Sequence, residues 1–261
     1  MDINKIYLGD CLEIMKNIND DTIDLIITDA PYGNLINENW DNQNGITKDV
    51  LNEYYRILKD SGSLYIFCGI GEKSNSLLEN LNLVSQTNFH FKDLITWKKQ
   101  KGYGARRGWL YTREEIIWLV KDNKKYYWNS DNQYGDEKRN YKRKIGKSWY
   151  KRLTNVWTDI NETLFDSINK DRLDGMWYKN LNKKYPVLHK TIKPIKLIDR
   201  IVQAHTYKNG NFLVLDSFAG SSTTAVSYIK NKVNYIMIEK EKDFYELSKV
   251  RIDEYLKNND I

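Results

Sequence analysis

The stretch LVLDSFAGSSTTAVSYI, residues 213–229, runs from apolar residues into a small-residue loop and then into a helical pattern. A near-continuous apolar run, rather than strict alternation, is how a strand covered on both faces reads. This strand delivers Asp216 to its carboxyl end. Gly220, Ser221 and Ser222 let a ligand approach the backbone closely, and the helix that follows points its first N–H groups at it. The next strand, NYIMIE (234–239), ends at Glu239. An acid at that place in a strand–helix–strand unit can accept bonds from ribose hydroxyls. The loop lacks the Gly-Lys-Ser/Thr ending of a phosphate loop and is not a full G-x-G-x-x-G.

Working outward, similar apolar runs read as strands: KIYLG (5–9), IDLIIT (23–28) and SLYIFC (63–68). Helical patterns lie between them. TKDVLNEYYRILKDSG (47–62) has Thr47 as its N-cap and is expected to end at Gly62. KTIKPIKLIDRIVQAH (190–205) holds a helix preceded by Pro194. Near the C-terminus Phe244, Tyr245, Leu247, Ile252, Tyr255 and Leu256 fall within one half of a helical wheel, a face that can lie on a sheet. Strand and helix alternate, which predicts an α/β doubly wound, mostly parallel sheet. DLITWKK (93–99) and EEIIWLVK (114–121) have no helix between them, so they are expected as an antiparallel hairpin at the sheet edge. From about 122 to 185 the pattern fades into polar, basic and aromatic sequence, read as an insertion or small subdomain. The expected division is 1–121, 122–185 and 186–261.

A second stretch raises a question of chemistry. TDAPYG (28–33) follows the IDLII run directly and places a carboxylate and a flat ring side by side at a strand's end. Taken alone, Asp29, Pro31 and Gly33 are ordinary turn residues and Tyr32 is a lid on the core.

Composition narrows the class. The 261 residues are 29% charged and 41% hydrophobic, the profile of a soluble globular protein. No apolar run approaches the roughly 20 residues that span a membrane, and MDINKIYLGD has no signal-peptide core. Cys11 and Cys68 have neither metal-ligand nor disulfide-framework spacing, so a reducing, cytoplasmic setting is expected. The net charge of +6 is unevenly placed: Lys98 to Arg152 hold 17 Lys and Arg against 6 Asp and Glu, and the rest of the chain holds 24 against 29. The same segment carries 11 aromatic residues, among them Trp109, Tyr126, Tyr127, Trp128, Trp149 and Tyr150. Basic charge neutralises phosphates and flat rings stack on bases, so this segment points to nucleic acid, with a solvated basic surface as the plain alternative.

DAPY at 29–32 together with DSFAGSSTT at 216–224 resembles the catalytic and cofactor motifs of S-adenosylmethionine-dependent DNA amino-methyltransferases. The opening segment through Gly33, YYRILKDSGSLYIF, LITWKK with TREEIIWLVK, and KTIKPIKLIDRIV are similar to further parts of that family. The catalytic motif precedes the cofactor motif, the order of the circularly permuted beta class. The commoner motifs have Pro where Ala30 and Ser217 stand and Gly where Ser222 stands. The resemblance implies a Rossmann-like methyltransferase sheet with an inserted basic target-recognition region, and S-adenosyl-L-methionine as cofactor. It makes Asp29, Ala30, Pro31 and Tyr32 the catalytic candidates. Asp10 is implied at the cofactor's adenine, Glu239 at its ribose and Lys193 near its methionine carboxylate. Cys11, Asp29, Asp216, Phe218, Ala219, Gly220, Ser221, Ser222 and Thr223 complete the implied pocket. For Asp10 the plain reading is a turn acid capping the helix from residue 11; for Lys193 it is a surface lysine at a helix start.

An exocyclic amino group is a poor nucleophile because its lone pair is delocalised into the base. Asp29 and the carbonyl of Ala30 would accept its hydrogens, and Tyr32 would stack on a base flipped out of the duplex. No metal and no covalent intermediate are needed. Methylation at C5 of cytosine would need a cysteine after proline, whereas Cys11 follows Asp10 and Cys68 follows Phe67. Asp rather than Ser before the Pro-Tyr element leans toward N6 of adenine in double-stranded DNA, in a bacterial or phage restriction–modification setting. N4 of cytosine or an RNA substrate is the alternative, followed by a non-catalytic nucleic-acid-binding protein and by methylation of protein glutamine, which usually goes with Asn at position 29. Arg106 and Arg107 in GYGARRGW, and Lys142, Arg143 and Lys144 in NYKRKIGK, are the expected DNA contacts. A homodimer is left open.

Overall fold

In a computed structural model of the chain, which describes residues 1–33, 44–71, 74–103, 107–138, 150–161, 193–207 and 211–259, the run Ile23–Thr28 is strand β2, buried at every position. The other strands are β1 (Lys5–Leu8), β3 (Leu58–Cys68), β4 (His90–Tyr103), β5 (Tyr111–Val120), β6 (Tyr134–Lys138), β7 (Tyr150–Arg152), β8 (Val156–Trp157), β9 (Leu213–Asp216) and β10 (Asn234–Glu239). The helices are α1 (Cys11–Met15), α2 (Lys48–Ile57), α3 (Ser76–Val84), α4 (Ile195–His205), α5 (Thr223–Lys230) and α6 (Lys242–Asn258). Among the described residues one eight-stranded sheet has the order β1-β10-β9-β2-β3-β5-β4-β8, and β6 and β7 form a separate antiparallel ribbon. From β1 to β3 every pairing is parallel; β5 runs antiparallel to both β3 and β4.

Successive strand residues point to opposite faces, so a run that is apolar throughout fills two cores. Leu25, Ile27, Tyr65, Phe67, Val214 and Met237 pack with α4 and α5 on one face. Ile26, Leu64, Ile66, Leu215, Ile236 and Ile238 pack with α1 and α2 on the other. The sheet is thus covered on both sides, as the alternation of elements predicts. β9 lies between β2 and β10, with Leu25 opposite Val214 and Ile26 opposite Leu215. That placement sets the carboxyl ends of β2 and β9 side by side.

Two expectations are corrected. The helix begun by Thr47, whose side chain accepts from the Val50 N–H at 3.2 Å, stops at Ile57 instead of reaching Gly62. Leu58 already pairs with Ile23, and Ser63 pairs with Leu25, so Lys59–Gly62 form a bulge in β3. Gly62 belongs to that bulge: a Cβ there would lie 2.7 Å from the Leu58 side chain. The β4–β5 hairpin forms, but it is not the outermost element. Residues Val156–Trp157 return as β8 along β4, fixed by the Thr96 N–H to Asn155 carbonyl bond (2.8 Å) and by the Trp97 indole N–H to the Ile160 carbonyl (2.8 Å).

The described part of the 122–185 stretch is tied to the same sheet. Trp128 stacks on Trp118 at 5.2 Å between centroids, the Asn129 N–H donates to the Ala204 carbonyl (2.7 Å), and Trp157 and Ile160 are buried. Residues 139–149 and 162–192 lie outside the described residues.

Candidate active site

Asp29 leaves the end of β2 and stands over the carboxyl edge of the sheet, its side chain 22% exposed. Two groups hold its carboxylate through three hydrogen bonds. The ammonium of Lys193 donates to both oxygens, at 2.8 and 2.7 Å, and the Tyr32 hydroxyl donates to Oδ1 at 2.9 Å. Lys193 arrives from the segment just before α4, immediately ahead of the Pro194 N-cap. It is itself buried, between the rings of Tyr32 and Phe67 at 5.4 Å from each centroid. Burial would lower its pKa, but the carboxylates of Asp29 and Glu114 outweigh that and hold it above the ordinary lysine value. Glu114, on β5, is 3.4 Å from the same ammonium through Oε2 and contacts Lys99 through Oε1. Burial would raise the Glu114 carboxyl, but Lys193 and Lys99 bring it below its ordinary value.

Ala30 is buried behind Asp29, and its surroundings explain why. Gly45 donates its N–H to the Pro31 carbonyl (3.0 Å), and a Cβ on Gly45 would meet Pro31, Ala30 and Phe218 at 2.8, 3.0 and 3.1 Å. The loop after β2 and the loop after β9 therefore touch across a glycine. Tyr54 of α2 bridges the same two loops: its hydroxyl bonds Thr28 Oγ1 at 3.3 Å and also Ser217 Oγ. Ser217 stands where the commoner motif has proline, and here its hydroxyl makes this link. The Tyr32 ring is buried, with Cδ2 against Gly69.

The second loop is held from several sides. Asp216 accepts from the Phe218 N–H (3.0 Å) and from the Thr224 hydroxyl (2.6 Å). Glu239 accepts from the N–H groups of Gly220 (2.7 Å) and Glu241 (2.8 Å). Burial pushes both carboxyls up to about 7. Gly220 has φ +51 and Ser222 has φ +59, so both lie in the left-handed region. That is the physical ground for glycine at position 222 in the commoner motif. The Ser222 hydroxyl is buried without a hydrogen-bond partner among the described residues. From α6, Ser248 donates to the Gly220 carbonyl (2.8 Å), and Arg251 donates to the Ser221 carbonyl and the Thr223 hydroxyl, both at 2.9 Å. Ala219 donates its N–H to the Ile238 carbonyl at 2.9 Å.

The geometry gathers Asp29, Ala30, Tyr32, Lys193, Asp216, Phe218, Gly220 and Glu239 along one edge of the sheet. Three of the sequence-predicted site residues, Lys193, Asp10 and Cys11, also have partners within the protein. Lys193 pairs with Asp29 through both carboxylate oxygens. Asp10 caps α1 by accepting from the Leu12 N–H (3.0 Å) and sits 3.3 Å from the Lys240 ammonium. Cys11 is packed in the core, where burial pushes its thiol up to about 11. Glu114, Gly45, Tyr54, Ser248 and Arg251 were missed in the sequence. A signal existed for two of them: Ser248 and Arg251 are polar residues inside the apolar stripe of α6.

At the β4–β5 turn, Arg107 is exposed and Trp109 is 93% exposed, with Leu110 at 63%. Tyr111, at the base of this turn, packs against Gly71; a Cβ on Gly71 would lie 2.9 Å from its ring. Gly71 is bridged to Ser74, which neighbours Gly69 beside Tyr32, so the turn stands on the Asp29 side of the sheet. Arg106, Lys142, Arg143 and Lys144 fall outside the described residues.

The residues present fit S-adenosylmethionine. Two carboxylates suit hydroxyl donors, the left-handed loop opens its backbone, and the unpartnered Ser222 hydroxyl and the start of α5 suit an anionic group. Comparison with known proteins agrees. A family model described as DNA methylase matches residues 23–250. The chain is 29% identical to the Type II methyltransferase M.HpaI of Haemophilus parainfluenzae over 95% of this chain and 74% of that protein. It is 28% identical to the DNA adenine methyltransferase YhdJ of Escherichia coli K12, covering 94% and 81% of the two. Among solved structures it resembles the M1.HpyAVI–SAM complex with TM-score 0.60 and 25% identity, over 95% of this chain and 98% of that one. The fold also matches that of the cytosine-N4-specific PvuII methyltransferase, with TM-score 0.67 at 14% identity, over 97% of this chain and 91% of that one.

Proposed function

The chain belongs to the N6/N4 DNA methylase family, and from that premise we propose that it methylates N6 of adenine in double-stranded DNA as the modification enzyme of a bacterial or phage restriction–modification pair. The observation that carries this reading is the junction of the two loops: Asp29 and Ala30 lie against Phe218 across Gly45, so acceptors for an amino group adjoin the cofactor loop. S-adenosylmethionine supplies, when bound, a methyl group on a positively charged sulfur. The protein's own work is to bring a base to it in the right orientation.

Asp29 Oδ and the Ala30 carbonyl accept the two amino hydrogens, which turns the nitrogen lone pair out of conjugation and stabilises the positive charge that develops there. Tyr32 keeps Asp29 oriented through its hydroxyl and lends a flat ring to the extruded base. Glu239 and the Gly220–Ser222 loop hold the cofactor; Ser248 and Arg251 hold the loop. Asp at position 29, where N4-cytosine enzymes commonly carry Ser, supports adenine as the base, in line with the name of the Escherichia coli relative.

In this reading 122–185 is a target-recognition insertion between a catalytic part at 1–121 and a cofactor part at 186–261, and DNA recognition draws on the basic stretch from about 98 to 185. The exposed Trp109 beside Arg107 supports it. Replacing Arg106 and Arg107 with Ala should weaken DNA binding and flatten the dependence of log K on log salt, with cofactor affinity unchanged; the cluster Lys142, Arg143 and Lys144 should behave likewise. The enzyme works in the cytoplasm.

The deciding experiment is incubation of the full chain with genomic DNA and radiolabelled cofactor, then digestion to nucleosides. N6-methyladenine is expected. N4-methylcytosine in its place would reassign the base, and label absent from the DNA but present in a parallel reaction with RNA, or absent altogether, would sink the proposal.

A further inference from the structure

The acceptor strength of Asp29 is not set by Asp29 alone. Its two oxygens are both covered by one ammonium, that of Lys193. A carboxylate neutralised in this way is a weakened acceptor for the hydrogens of an incoming amino group. The same ammonium has a second carboxylate within reach. Glu114 Oε2 lies 3.4 Å away, buried, and makes no hydrogen bond to any described group. Its partner oxygen is fixed by Lys99 from the neighbouring strand. Glu114 is therefore anchored at one oxygen and open at the other, with the open one facing Lys193.

We propose that Glu114 is a positioning residue for methyl transfer: it is a second seat for the Lys193 ammonium, and by sharing that cation it decides how much of Asp29's acceptor strength is left for the target amino group. The inference rests on the functional reading above. As a base occupies Asp29, the ammonium settles onto Glu114 Oε2. The cation stays inside the site, between the Tyr32 and Phe67 rings, so no charge has to enter or leave. The carboxylates of Asp29 and Glu114 and the two lysines, Lys193 and Lys99, balance in charge. Lys193 holding a proton firmly and Glu114 losing one readily agree with both being charged throughout.

Several elements bring titratable or charged groups near Asp29. Nearest are the Tyr32 hydroxyl on its own loop, Lys193 before α4 and Asp216 on β9; Glu114 on β5 and Lys99 on β4 lie beyond Lys193, and Cys68 on β3 is within electrostatic reach of Asp29, Glu114 and Glu115. Glu115 is occupied by Thr96 at 2.7 Å and Arg113 at 3.2 Å.

The test is the pH dependence of kcat in the full chain, with Glu114→Gln, Lys193→Met and Lys193→Arg beside wild type. Removing the Glu114 charge leaves Lys193 wholly to Asp29, so kcat should fall and the acid limb of its profile should move to lower pH. Removing the Lys193 charge leaves two carboxylates facing each other, so the limb should move to higher pH. Either displacement should be about one pH unit, a tenfold change in proton affinity. Lys193→Arg should return the limb toward wild type. The Asp29 carboxyl carbon, followed by NMR without DNA or cofactor, should show the same opposed displacements. A lowered kcat in Glu114→Gln with an unmoved limb and an unmoved carbon titration would make Glu114 merely structural and end the inference. If the wild type transfers no methyl group at all, the functional reading falls, and the carbon titration then decides the sharing of Lys193 by itself. Should Glu114→Gln fail to fold, the Lys193→Met and Lys193→Arg pair decides: a limb and carbon signal unmoved by Lys193→Met overturn the proposal.

Discussion

Asp29 and Asp216 stand at the ends of hydrogen-bonded neighbouring strands, each delivered by a buried apolar run and each followed by small residues, yet the protein treats their charges in opposite ways. Asp29 is partly exposed and has a buried ammonium on both oxygens. Asp216 is buried and, among the described residues, is given only neutral donors, an N–H and a hydroxyl, and burial pushes its carboxyl up to about 7. A cation makes a carboxylate a reacting group that can be rationed. Neutral donors make it a fastener for the loop. The same local sequence pattern thus yields two functions, and the elements that decide between them, α4 and β5 against α5, come from elsewhere in the chain.

The comparison breaks most visibly at Asp29. Asp29→Ala removes an acceptor for the amino hydrogens but no phosphate contact, so the methylation rate should fall about 10²–10³-fold with DNA affinity retained. A wild-type rate in that variant would leave Asp29 an ordinary turn residue. On the Asp216 side the corresponding lesion is Gly220→Leu. A left-handed conformation costs a residue other than glycine roughly 1–2 kcal/mol, and the added side chain enters the loop that Glu239 and Ser248 fasten. Calorimetry should find cofactor affinity lowered by at least about tenfold; undiminished affinity would move the cofactor elsewhere.

A subtler contrast lies in pH. Asp216 and Glu239 have folded-state pKa values raised to about 7 from ordinary carboxyl values of 3.8 and 4.5. Between those limits the folded chain binds more protons than the unfolded one, so their contribution to stability falls as pH rises through that window and levels off above about 7. Asp216→Asn and Glu239→Gln should each flatten the fall in melting temperature across that range. Cofactor affinity, which favours ionised acceptors, should rise through the same window in wild type and less in Glu239→Gln.

The smallest expected effect is Ser222→Gly. It relieves a left-handed serine and removes a buried unpartnered hydroxyl, offset by the greater freedom of glycine in the unfolded chain. A gain of about 0.5–1 kcal/mol, or about 2 °C in Tm, is expected. A lower melting temperature would show that Ser222 has a bonding role in the folded loop.

How far the sequence could be read follows from which forces are local. β2 and β10 coincide with the runs read at 23–28 and 234–239, because a buried apolar run that gives way to charged residues is a local signal. The helix from Thr47 was overextended because ILKDSG continues the helical pattern with no break before Gly62. What stops it is pairing of Leu58 with Ile23, a contact 35 residues away. The two motifs were legible as a pair of loops. Their holders were legible only in part: Lys193 stands out as a site candidate but not as the partner of Asp29, and nothing local marks Glu114 or Gly45. Each is recruited by the sheet order, which no short window reveals.

That order also governs how the chain can come into being. Among the described residues β1 is an edge strand whose one sheet neighbour is β10, with Lys5 opposite Ile236, and β2 has one side closed by β9. A ribosome adding about 5–20 residues per second makes the first of these strands roughly 10–50 s before its partner. For that interval the IDLII run has one unsealed edge, the situation in which nascent strands pair with the wrong neighbour. The cofactor loop lies between the two strands that end the wait. The polypeptide therefore becomes a closed sheet and a competent binding site in the same late event, and arrested or truncated synthesis products should have neither.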